Sequence, residues 1–254
     1  MLLVIDVGNT NIVMGIYEGA TLLKDLRIRT DKNMTADEFH VFAAHIFSDI
    51  GELSKSIKKI VISSVVPPLF NMLDLFCRKY TGKNPHWISA RSVPDMPVLY
   101  TNPDMVGSDR IVNAYAAYHK YRASLIVIDF GTATTFDCVS EKGEYLGGAI
   151  SPGINTAAEG LYIKAPRLPR VELFNPPEKA IGIDTIGSLK SGIILGYAGL
   201  VDGMVWRMAK EMNANPKIIA TGGLSLIMHK VSETISSIEP DLTLEGLRII
   251  GDLL

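Results

Sequence analysis

Two stretches of the chain repeat one pattern of apolar and polar positions. In each, four or five apolar residues lead into an aspartate, a glycine two positions later and a turn that contains threonine: "LLVIDVGNTN" in the first half and "LIVIDFGTATT" in the second. Short apolar runs that end in turn residues are typical of buried strands. The pattern therefore predicts one strand leading into Asp6 and another leading into Asp129, about half the chain apart.

The residues after each aspartate predict further strands. In the first copy Ile12, Met14 and Ile16 share one face of "NIVMGIYEG", which indicates a second strand, and "ATLLKDLRIRT" after Gly19 indicates a third. In the second copy "SLIVIDFGTATTFDCVSEKGEYLGGAIS" predicts strand, turn, strand, turn and strand. Both halves of the chain thus open with three consecutive predicted strands.

Helical and strand patterns alternate through the rest of the first half. Thr35 followed by Glu38 forms a capping box, which predicts a helix that ends at Gly51. "IKKIVISSVVP" predicts a strand, "LFNMLDLFCRKYTG" a helix that ends at Gly82, and "HWISA" a short strand. A proline-rich irregular stretch, "PDMPVLYTNPDMVGSDR", precedes a helix in "IVNAYAAYHKYR".

The second half is richer in helix. It predicts helices over Ile154–Leu161, Thr185–Met212 and Leu224–Lys230, and "KIIATGG" predicts a strand before the last of them. The longest apolar run, "GIILGYAGLV", predicts a buried helix. We interpret the two halves as a duplication that forms two α/β domains with mixed sheets, residues 1–112 and 113–254, with the boundary near Asp109–Asn113. The alternative is that two β-turns share a small motif by chance.

Composition narrows the class of protein. The 254 residues are 47% apolar and 20% charged, which is normal for a globular protein with a real core. A net charge of −2 without a long basic run argues against nucleic-acid binding. The N-terminal apolar stretch is too short for a signal peptide, and the longest apolar run is about half a membrane span. Two cysteines without a CxxC pattern fit a reducing cytoplasm, and the five histidines show no metal-ligand spacing.

The polar turns after the two aspartates contain the residue types that bind a phosphate chain. A glycine lets the backbone approach phosphate oxygens, hydroxyl and amide side chains donate hydrogen bonds, and a carboxylate can hold a Mg²⁺-bound water. The first turn supplies Asp6, Gly8, Asn9, Thr10 and Asn11, and the second supplies Asp129, Gly131, Thr132 and Thr134. Two such turns facing each other would clamp a polyphosphate between two domains. The alternative is that both aspartates only cap turns.

Other nucleotide-binding signatures are missing from the sequence, apart from one glycine turn. The chain contains neither a GxxxxGK[ST] P-loop nor a GxGxxG motif. In "IIATGGLS" a strand ends at Thr221, two glycines follow, and a helix begins near Ser225. Paired glycines let a flat ring lie against the backbone, so an adenosine would sit here. The alternative is a strand-to-helix turn that binds no ligand.

Two phosphate hairpins followed by a "TGG" turn resemble the superfamily of acetate kinases, sugar kinases, Hsp70 and actin. Within it the sequence is similar to type III pantothenate kinases from end to end, through the blocks "DVGNTN", "YTNPDMVGSDR", "DFGTATTFD", "GGAISPG", "DTIGSLKSG" and "ATGGLS". The resemblance implies an α/β fold of two duplicated ribonuclease-H-like (actin-like) domains. It also implies transfer of the γ-phosphate of ATP to pantothenate, the first step of coenzyme A biosynthesis.

The resemblance further implies cofactors and partners. It implies Mg²⁺ with the ATP, a monovalent cation that is potassium or ammonium, and a homodimer. The expected location is the cytoplasm, with pantothenate as substrate and neither nucleic acid nor a membrane as partner.

The resemblance also assigns roles to individual positions. Thr132 would contact ATP, Asp129 would bind the monovalent cation, and Asp109 would be the general base on the pantothenate hydroxyl. The first phosphate loop would comprise Asp6, Val7, Gly8, Asn9, Thr10, Asn11, Ile12 and Val13. Contacts to pantothenate would come from Tyr100, Gly107, Ser108, Asp109, Arg110 and Thr185. The dimeric site of the family suggests that the neighbouring subunit supplies the last of these.

Physical reasoning supports Asp109 as the base. The sequence places it in an irregular loop, the kind of segment that often carries function. A primary alcohol is a poor nucleophile and needs a positioned acceptor for its proton. Arg110 would favour the ionised carboxylate and could bind an anionic substrate. Without the resemblance, "GSDR" also fits a turn with a surface ion pair. Ser108 departs from the family, which more usually has alanine there.

Two other functions remain open at this point. A sugar kinase of the same superfamily would share the hairpins, but it has no reason to contain "YTNPDMVGSDR". A non-catalytic regulatory protein, such as a transcription accessory factor, could use the same scaffold. The presence of Asp6, Asp109, Arg110 and Asp129 argues against lost catalysis.

Overall fold

The computed structural model describes residues 1–47 and 57–254 and forms two compact units. The first unit comprises Met1–Ala116 together with Leu242–Leu254, and the second comprises Ala117–Asp241. Each unit is built on its own sheet of five strands, counted over the described residues. The predicted end of a helix at Gly51 lies outside those residues.

The sheet of the first unit contains both antiparallel and parallel pairs. Its strands, in chain order, are β1 (Leu2–Val7), β2 (Asn11–Glu18), β3 (Thr21–Arg29), β4 (Lys59–Ser64) and β5 (His86–Trp87). They lie in the order β3-β2-β1-β4-β5, with β1, β2 and β3 antiparallel and with β4 and β5 parallel to β1. Side chains of β1 and β2 that alternate in the sequence, including Ile12, Met14 and Ile16, are fully buried in its core.

The sheet of the second unit repeats this topology strand for strand. Its strands are β6 (Leu125–Phe130), β7 (Ala133–Val139), β8 (Tyr145–Pro152), β9 (Lys217–Gly222) and β10 (Ser237–Ile238). Their order is β8-β7-β6-β9-β10, again with three antiparallel strands followed by two parallel ones. The predicted duplication into two mixed sheets with flanking helices is therefore confirmed.

Helices flank each sheet. In chain order they are α1 (Ala36–Phe47), α2 (Phe70–Phe76), α3 (Ser108–Tyr121), α4 (Ile154–Lys164), α5 (Thr185–Lys190), α6 (Gly196–Met212), α7 (Ser225–Val231) and α8 (Leu242–Leu253). The predicted capping box is present, because the Glu38 N–H donates to Thr35 Oγ1 and the Thr35 N–H donates to Glu38 Oε2. The predicted helix Thr185–Met212 is interrupted by a π-helical segment, Ser191–Leu195, between α5 and α6.

The last helix belongs with the first sheet, whereas the sequence analysis assigned all of residues 113–254 to one domain. Along α8, Gly251 packs against Leu2 of β1, and Lys59 of β4 donates a 2.7 Å hydrogen bond to the Gly251 carbonyl. A Cβ at Gly246 would lie 2.6 Å from the Val112 carbonyl of α3. The chain crosses between the units at Ala116–Ala117, inside α3, rather than at residue 112. Local patterns did not show this, because the contacts join residues far apart in sequence.

The segment "GIILGYAGLV" is only half-buried, and the prediction of a buried helix there is wrong. Ile194, Tyr197, Ala198 and Val201 are buried, but the glycines between them and Leu200 are exposed. The segment is uniformly apolar in sequence, so the pattern did not reveal that one face is exposed. That face is formed mainly by small residues instead of polar ones. Among the described residues, no helix has both the length and the apolarity that a membrane span requires.

Candidate functional site

The first predicted phosphate loop is the tight hairpin between β1 and β2. The Gly8 N–H donates to the Asn11 carbonyl at 3.0 Å, and Thr30 Oγ1 donates to the Gly8 carbonyl at 2.6 Å. Asn9 and Thr10 form the exposed tip, while Asp6 is half-buried at the end of β1. The hairpin is therefore a braced loop with polar groups at its tip.

Three members of this loop are apolar, and their side chains are less accessible to a ligand than those at the tip. Val7 pairs with Ile12 across the hairpin, and both side chains are fully buried. Val13 pairs with Asp6 and is half-buried. Val7 and Ile12 can therefore offer a phosphate only their backbone, and their side chains anchor the loop in the core.

The "GSDR" segment is the first turn of a helix, not the irregular loop that the sequence analysis predicted. Helix α3 begins at Ser108, and the Gly107 carbonyl accepts hydrogen bonds from the Arg110 and Ile111 N–H groups. An acidic side chain in the first turn interacts favourably with the helix dipole, which explains why Asp109 is tolerated there. Turn residues and prolines upstream masked this helix start in the sequence.

The Asp109 carboxylate lies in a buried environment that disfavours its charged form. Burial raises its pKa, while the Arg110 backbone N–H, 2.8 Å from Oδ1, and the Arg110 guanidinium partly oppose that shift. A Cβ at Gly107 would approach Asp109 Oδ1 to 2.5 Å, so a larger residue there would push this carboxylate from its present position. Asp109 itself keeps part of its surface accessible, whereas Ser108 and Arg110 are each 7% exposed.

The phosphate hairpin and the start of α3 lie at the same edge of the first sheet. β4 runs parallel to β1, with Ser63 opposite Asp6 and Ser64 opposite Val7. The Ser64 N–H donates to Ser108 Oγ at 3.1 Å. Asp6 and Asp109 are thus brought together through β4.

The second phosphate hairpin joins β6 and β7 and has the same form. The Gly131 N–H donates to the Ala133 carbonyl at 3.0 Å, Gly131 and Thr132 form the exposed tip, and Asp129 is half-buried. Thr134, in contrast, is fully buried. The hairpin therefore offers Asp129, Gly131 and Thr132 to a ligand, but not the Thr134 hydroxyl.

The "TGG" turn lies beside this second hairpin, as β9 pairs in parallel with β6. Gly222 has a positive φ of 86°, and a Cβ there would lie 2.4 Å from Asp129 Oδ1. Nothing lies within 4 Å of the Cβ position at Gly223, which leaves its backbone open. Ser225 Oγ donates to the Gly222 carbonyl at 2.8 Å and closes the turn. The first glycine therefore makes room for Asp129, and the second leaves a surface for a flat ligand.

The Thr132 carbonyl accepts hydrogen bonds from Gly153 and Thr156 at the start of α4, two residues for which the sequence predicted no role. The Gly153 N–H donates to the Thr132 carbonyl at 3.0 Å, and Thr156 Oγ1 donates to the same carbonyl at 2.7 Å. A Cβ at Gly153 would come within 2.5 Å of that oxygen. The block "GGAISPG" thus supports the tip of the second hairpin. A glycine just before a helix was the signal in the sequence.

Thr185 and Tyr100 lie outside the two hairpins. Thr185 is exposed at the start of α5, where Asp184 caps the helix by accepting a 2.7 Å hydrogen bond from the Gly187 N–H. An open groove of about 570 Å³ surrounds Thr185, lined also by Leu168, Gly182, Ile183, Asp184, Ser188 and Leu189. Tyr100 is 40% exposed in the irregular segment before α3.

Asp6 and Asp129 are single carboxylates, and each could bind a cation whose remaining ligands come from other groups such as the phosphates of a nucleotide. The described part of the chain holds no group of three or more His, Cys, Asp or Glu side chains that could bind a metal alone. Mg²⁺ at kinase sites is usually held by one or two carboxylates together with substrate phosphates, which a single Asp6 fits. Near Gly222, the Asp129 Oδ1 and the backbone nitrogen and carbonyl oxygen of Phe130 surround the position that a Cβ would take, so a polar environment that includes two oxygens lies beside this glycine. Oxygens of these two kinds suit a hard cation.

Ser63 and Ser64 lie beside the candidate residues Asp6 and Ser108, although the sequence pattern assigned no role to either serine. Both follow the buried run "KIVI" at the end of β4, in the position that Thr221 and Gly222 occupy at the end of β9. The signal was therefore available: polar residues end a buried strand, as they do at Asp6. Its meaning depended on the parallel pairing of β4 with β1.

Comparisons with known proteins show the family of this chain. A family model for type III pantothenate kinase matches residues 2–207. The type III pantothenate kinase of Desulfatibacillum aliphaticivorans is 58% identical over 252 residues, which cover 99% of this chain and 98% of that protein. The one from Desulforapulum autotrophicum is 56% identical over 253 residues, with coverage of 99% and 97%.

Solved structures show the fold alone, because their sequence identities are low. A ROK family glucokinase from Streptomyces griseus, in complex with glucose and AMPPNP, matches with a TM-score of 0.55 at 14% identity and covers 99% of this chain and 98% of its own. A Campylobacter jejuni protein described as a Baf family transcriptional activator matches with a TM-score of 0.59 at 23% identity, with coverage of 98% and 96%.

Replacing Asp109 with asparagine is expected to raise the melting temperature at pH 7. An acid whose pKa is higher in the folded than in the unfolded chain stabilises the fold at low pH, and that contribution is lost as the pH rises through the folded pKa. The neutral amide avoids this loss, so its gain should shrink as the pH falls below the ordinary aspartate range. Thermal unfolding of both proteins from pH 4 to pH 8 measures the difference.

The control is Asp104→Asn, which removes an exposed carboxylate paired with Arg91 on the surface. Exposed ion pairs contribute little, so this variant should melt close to the wild type at every pH. A lower melting temperature for Asp109→Asn at pH 7 would contradict the burial argument.

Proposed function

The chain belongs to the type III pantothenate kinases, which phosphorylate pantothenate with ATP in coenzyme A biosynthesis, and from this premise we propose how its residues divide the work. Asp109 is the general base that takes the proton of the pantothenate hydroxyl. The hairpin Asp6–Val13 and Thr132 contact the phosphates of ATP. The observation that carries the proposal is the shared sheet edge, where β4 joins the loop at Asp6 to the helix start at Asp109.

The environment of Asp109 supports its role as the base. A general base works best when its pKa lies near the operating pH, and burial moves the pKa of Asp109 upward from the ordinary carboxyl range. The Arg110 N–H holds one carboxylate oxygen at 2.8 Å and fixes its direction. Phosphoryl transfer needs mainly positioning and charge stabilisation, so a braced carboxylate is a sufficient base.

The two hairpins support ATP binding. The exposed tips present backbone N–H groups and the side chains of Asn9, Thr10 and Thr132, while hydrogen bonds from below hold each tip in place. Asp6 would hold Mg²⁺ through its hydration shell, and the bound ion would neutralise charge on the phosphates. The open backbone at Gly223 supports adenosine binding at the "TGG" turn.

Purified protein with ATP, Mg²⁺, potassium and pantothenate is expected to form ADP and phosphopantothenate. Asp109→Asn should lower kcat by about a hundredfold or more, the usual contribution of a general base. ATP affinity should stay close to that of the wild type, because Asp109 is assigned to the acceptor. A coupled ADP assay and equilibrium binding of an ATP analogue measure the two quantities.

Asp104→Asn serves again as the control and should keep full turnover. A panel of acceptors that includes glucose separates pantothenate kinase from sugar kinase activity. Full turnover by Asp109→Asn would reject Asp109 as the base, and absence of pantothenate-dependent ADP from the wild type would reject the function itself.

We also propose that Asp129 binds a monovalent cation, potassium or ammonium. Its support is the half-buried Asp129 carboxylate at the end of β6, whose Oδ1 lies beside Gly222 at a place where a side chain would clash with it. The bound cation would supply positive charge near the phosphates.

Replacing potassium with sodium is expected to lower the rate of the wild type. Potassium should also raise its melting temperature in the presence of an ATP analogue, since a ligand that binds the folded state stabilises it. Asp129→Asn should lose this potassium-specific stabilisation, which differential scanning fluorimetry reads without any turnover. Equal responses to potassium and sodium in the wild type would remove the role given to Asp129.

We also propose that the chain forms a homodimer and that both subunits contribute contacts to pantothenate. The proposed contacts to pantothenate near the base are Tyr100, Gly107, Ser108 and Arg110, which lie close to Asp109 in the sequence. Thr185 would come from the neighbouring subunit. For Ser108 the support is confined to its backbone, because its buried side chain is hydrogen-bonded to β4.

Exposed apolar side chains near Thr185 support the dimer. Ile183 is 97% exposed and Ile186 53% exposed, on either side of Thr185. On the adjoining helical segments Gly192, Gly196 and Gly199 are exposed, with nothing within 4 Å of their Cβ positions. Such a surface suits close packing against a second chain.

Ile183→Glu is expected to convert the dimer into a monomer, because it would bury a charge in the apolar contact. Sedimentation velocity measures the mass of each species. The matched control is Val41→Glu on α1, which changes an apolar side chain that is 68% exposed and should leave the dimer intact. A monomeric wild type, or a dimeric Ile183→Glu variant, would contradict this placement of the interface.

A cytoplasmic location completes the proposal. Its support is the pair of buried cysteines, Cys77 and Cys138, which form no disulfide and which a reducing compartment would keep as thiols. Burial raises the pKa of the Cys77 thiol to about 12, so this thiol is unreactive in the folded protein.

A further inference from the structure

The Ser108 side chain connects the helix that carries Asp109 to the strand beside the phosphate loop. Its Oγ lies 3.0 Å from Ser63 Oγ and 3.2 Å from the Ser64 carbonyl, and it accepts a 3.1 Å hydrogen bond from the Ser64 N–H. Ser108 is 7% exposed and Ser63 is fully buried. This hydroxyl therefore makes contacts inside the protein, directly next to the proposed base.

One arrangement of protons satisfies every contact. Ser108 donates to the Ser64 carbonyl, and Ser63 then donates to Ser108, which also accepts from the Ser64 N–H. Each hydroxyl has one proton and can accept two hydrogen bonds, so this network is complete. A complete buried network is rigid, because losing any member leaves a polar group unpaired in the interior.

The strand at the other end of this network is fixed to the phosphate loop. Ser63 and Ser64 are the register partners of Asp6 and Val7, and the Val65 N–H donates to the Val7 carbonyl at 3.1 Å. Displacing Ser108 would therefore move the start of α3 relative to Asp6. Asp109 would move with it, because Ser108 and Asp109 are consecutive residues in the first turn of that helix.

We infer that Ser108, with Ser63 behind it, is a positioning residue that sets the place of Asp109 relative to the phosphate loop. The inference rests on the proposed role of Asp109 as the base. Ser108 touches no reacting atom and acts through the backbone of its neighbour, Asp109. A misplaced base costs turnover, whereas binding of ATP at the hairpin tips does not depend on it.

The kinetic test compares Ser108→Ala, Ser63→Ala and the double variant. Ser108→Ala is expected to lower kcat by about tenfold, since misplacement by about 1 Å can cost about a hundredfold, and to leave the KM for ATP unchanged. Ser63→Ala should lower kcat less, because Ser108 keeps its contacts to Ser64. In the double variant Ser63→Ala should add nothing, because Ser63 acts only through Ser108.

The matched control is Ser236→Ala. Ser236 Oγ accepts from the Ile218 N–H at 3.2 Å and donates to the Ile218 carbonyl at 2.8 Å, the same pair of contacts that Ser108 makes with Ser64. Ile218 is near the start of β9, at the opposite end from the "TGG" turn. Ser236→Ala should lose similar stability and keep the wild-type kcat, which separates positioning from general weakening of the fold.

A thermal cycle tests the same inference without turnover. If Ser108 holds Asp109 in its buried place, the gain in melting temperature from Asp109→Asn at pH 7 should be smaller in the Ser108→Ala background. Wild-type kcat in Ser108→Ala, or a gain that is fully additive, overturns the inference while the kinase function stands. If the wild type has no pantothenate kinase activity, the proposed function fails and additivity in the thermal cycle alone decides whether Ser108 positions Asp109.

Discussion

The parallel pairing of β1 with β4 is the constraint on which the arrangement of the candidate residues in the first unit depends. It places Ser63 and Ser64 opposite Asp6 and Val7, so that two chain segments more than fifty residues apart end at one edge of the sheet. Backbone hydrogen bonds fix this register, and both faces of both strands are buried, so a one-residue shift would exchange side chains that pack against different neighbours. Hydrogen bonds between Ser108 of α3 and Ser64 of β4 then hold Asp109 at the same edge.

The second unit uses the same pairing for a different purpose. β9 pairs with β6 as β4 pairs with β1, and its end supplies Thr221 and Gly222 where β4 supplies Ser63 and Ser64. In the first unit that end binds a helix hydroxyl, and in the second it turns through a glycine with positive φ beside Asp129. One duplicated topology thus places different residues, with different contacts, at equivalent strand ends.

Close approach matters at the candidate residues of each unit. Gly107 leaves room for Asp109, Gly222 for Asp129 and Gly153 for the Thr132 carbonyl. In each case a single methyl group would occupy the space of a polar oxygen. The last helix contributes in the same way from outside the site, because Gly246 allows α8 to lie against the Val112 carbonyl of α3. The final residues of the chain therefore support the helix that carries the proposed base.

The sequence by itself determined the duplication, the two hairpins and the glycine turn, because each is encoded by neighbouring residues whose periodicity and turn chemistry act locally. Even the strand ending in Ser63 and Ser64 was visible as a buried run followed by polar residues. Only the tertiary structure decided that these serines join Ser108 to the first hairpin, that α8 returns to the first sheet, and that "GSDR" begins a helix. Those features depend on contacts between distant segments, and no local pattern of apolar and polar residues specifies which distant segments will meet.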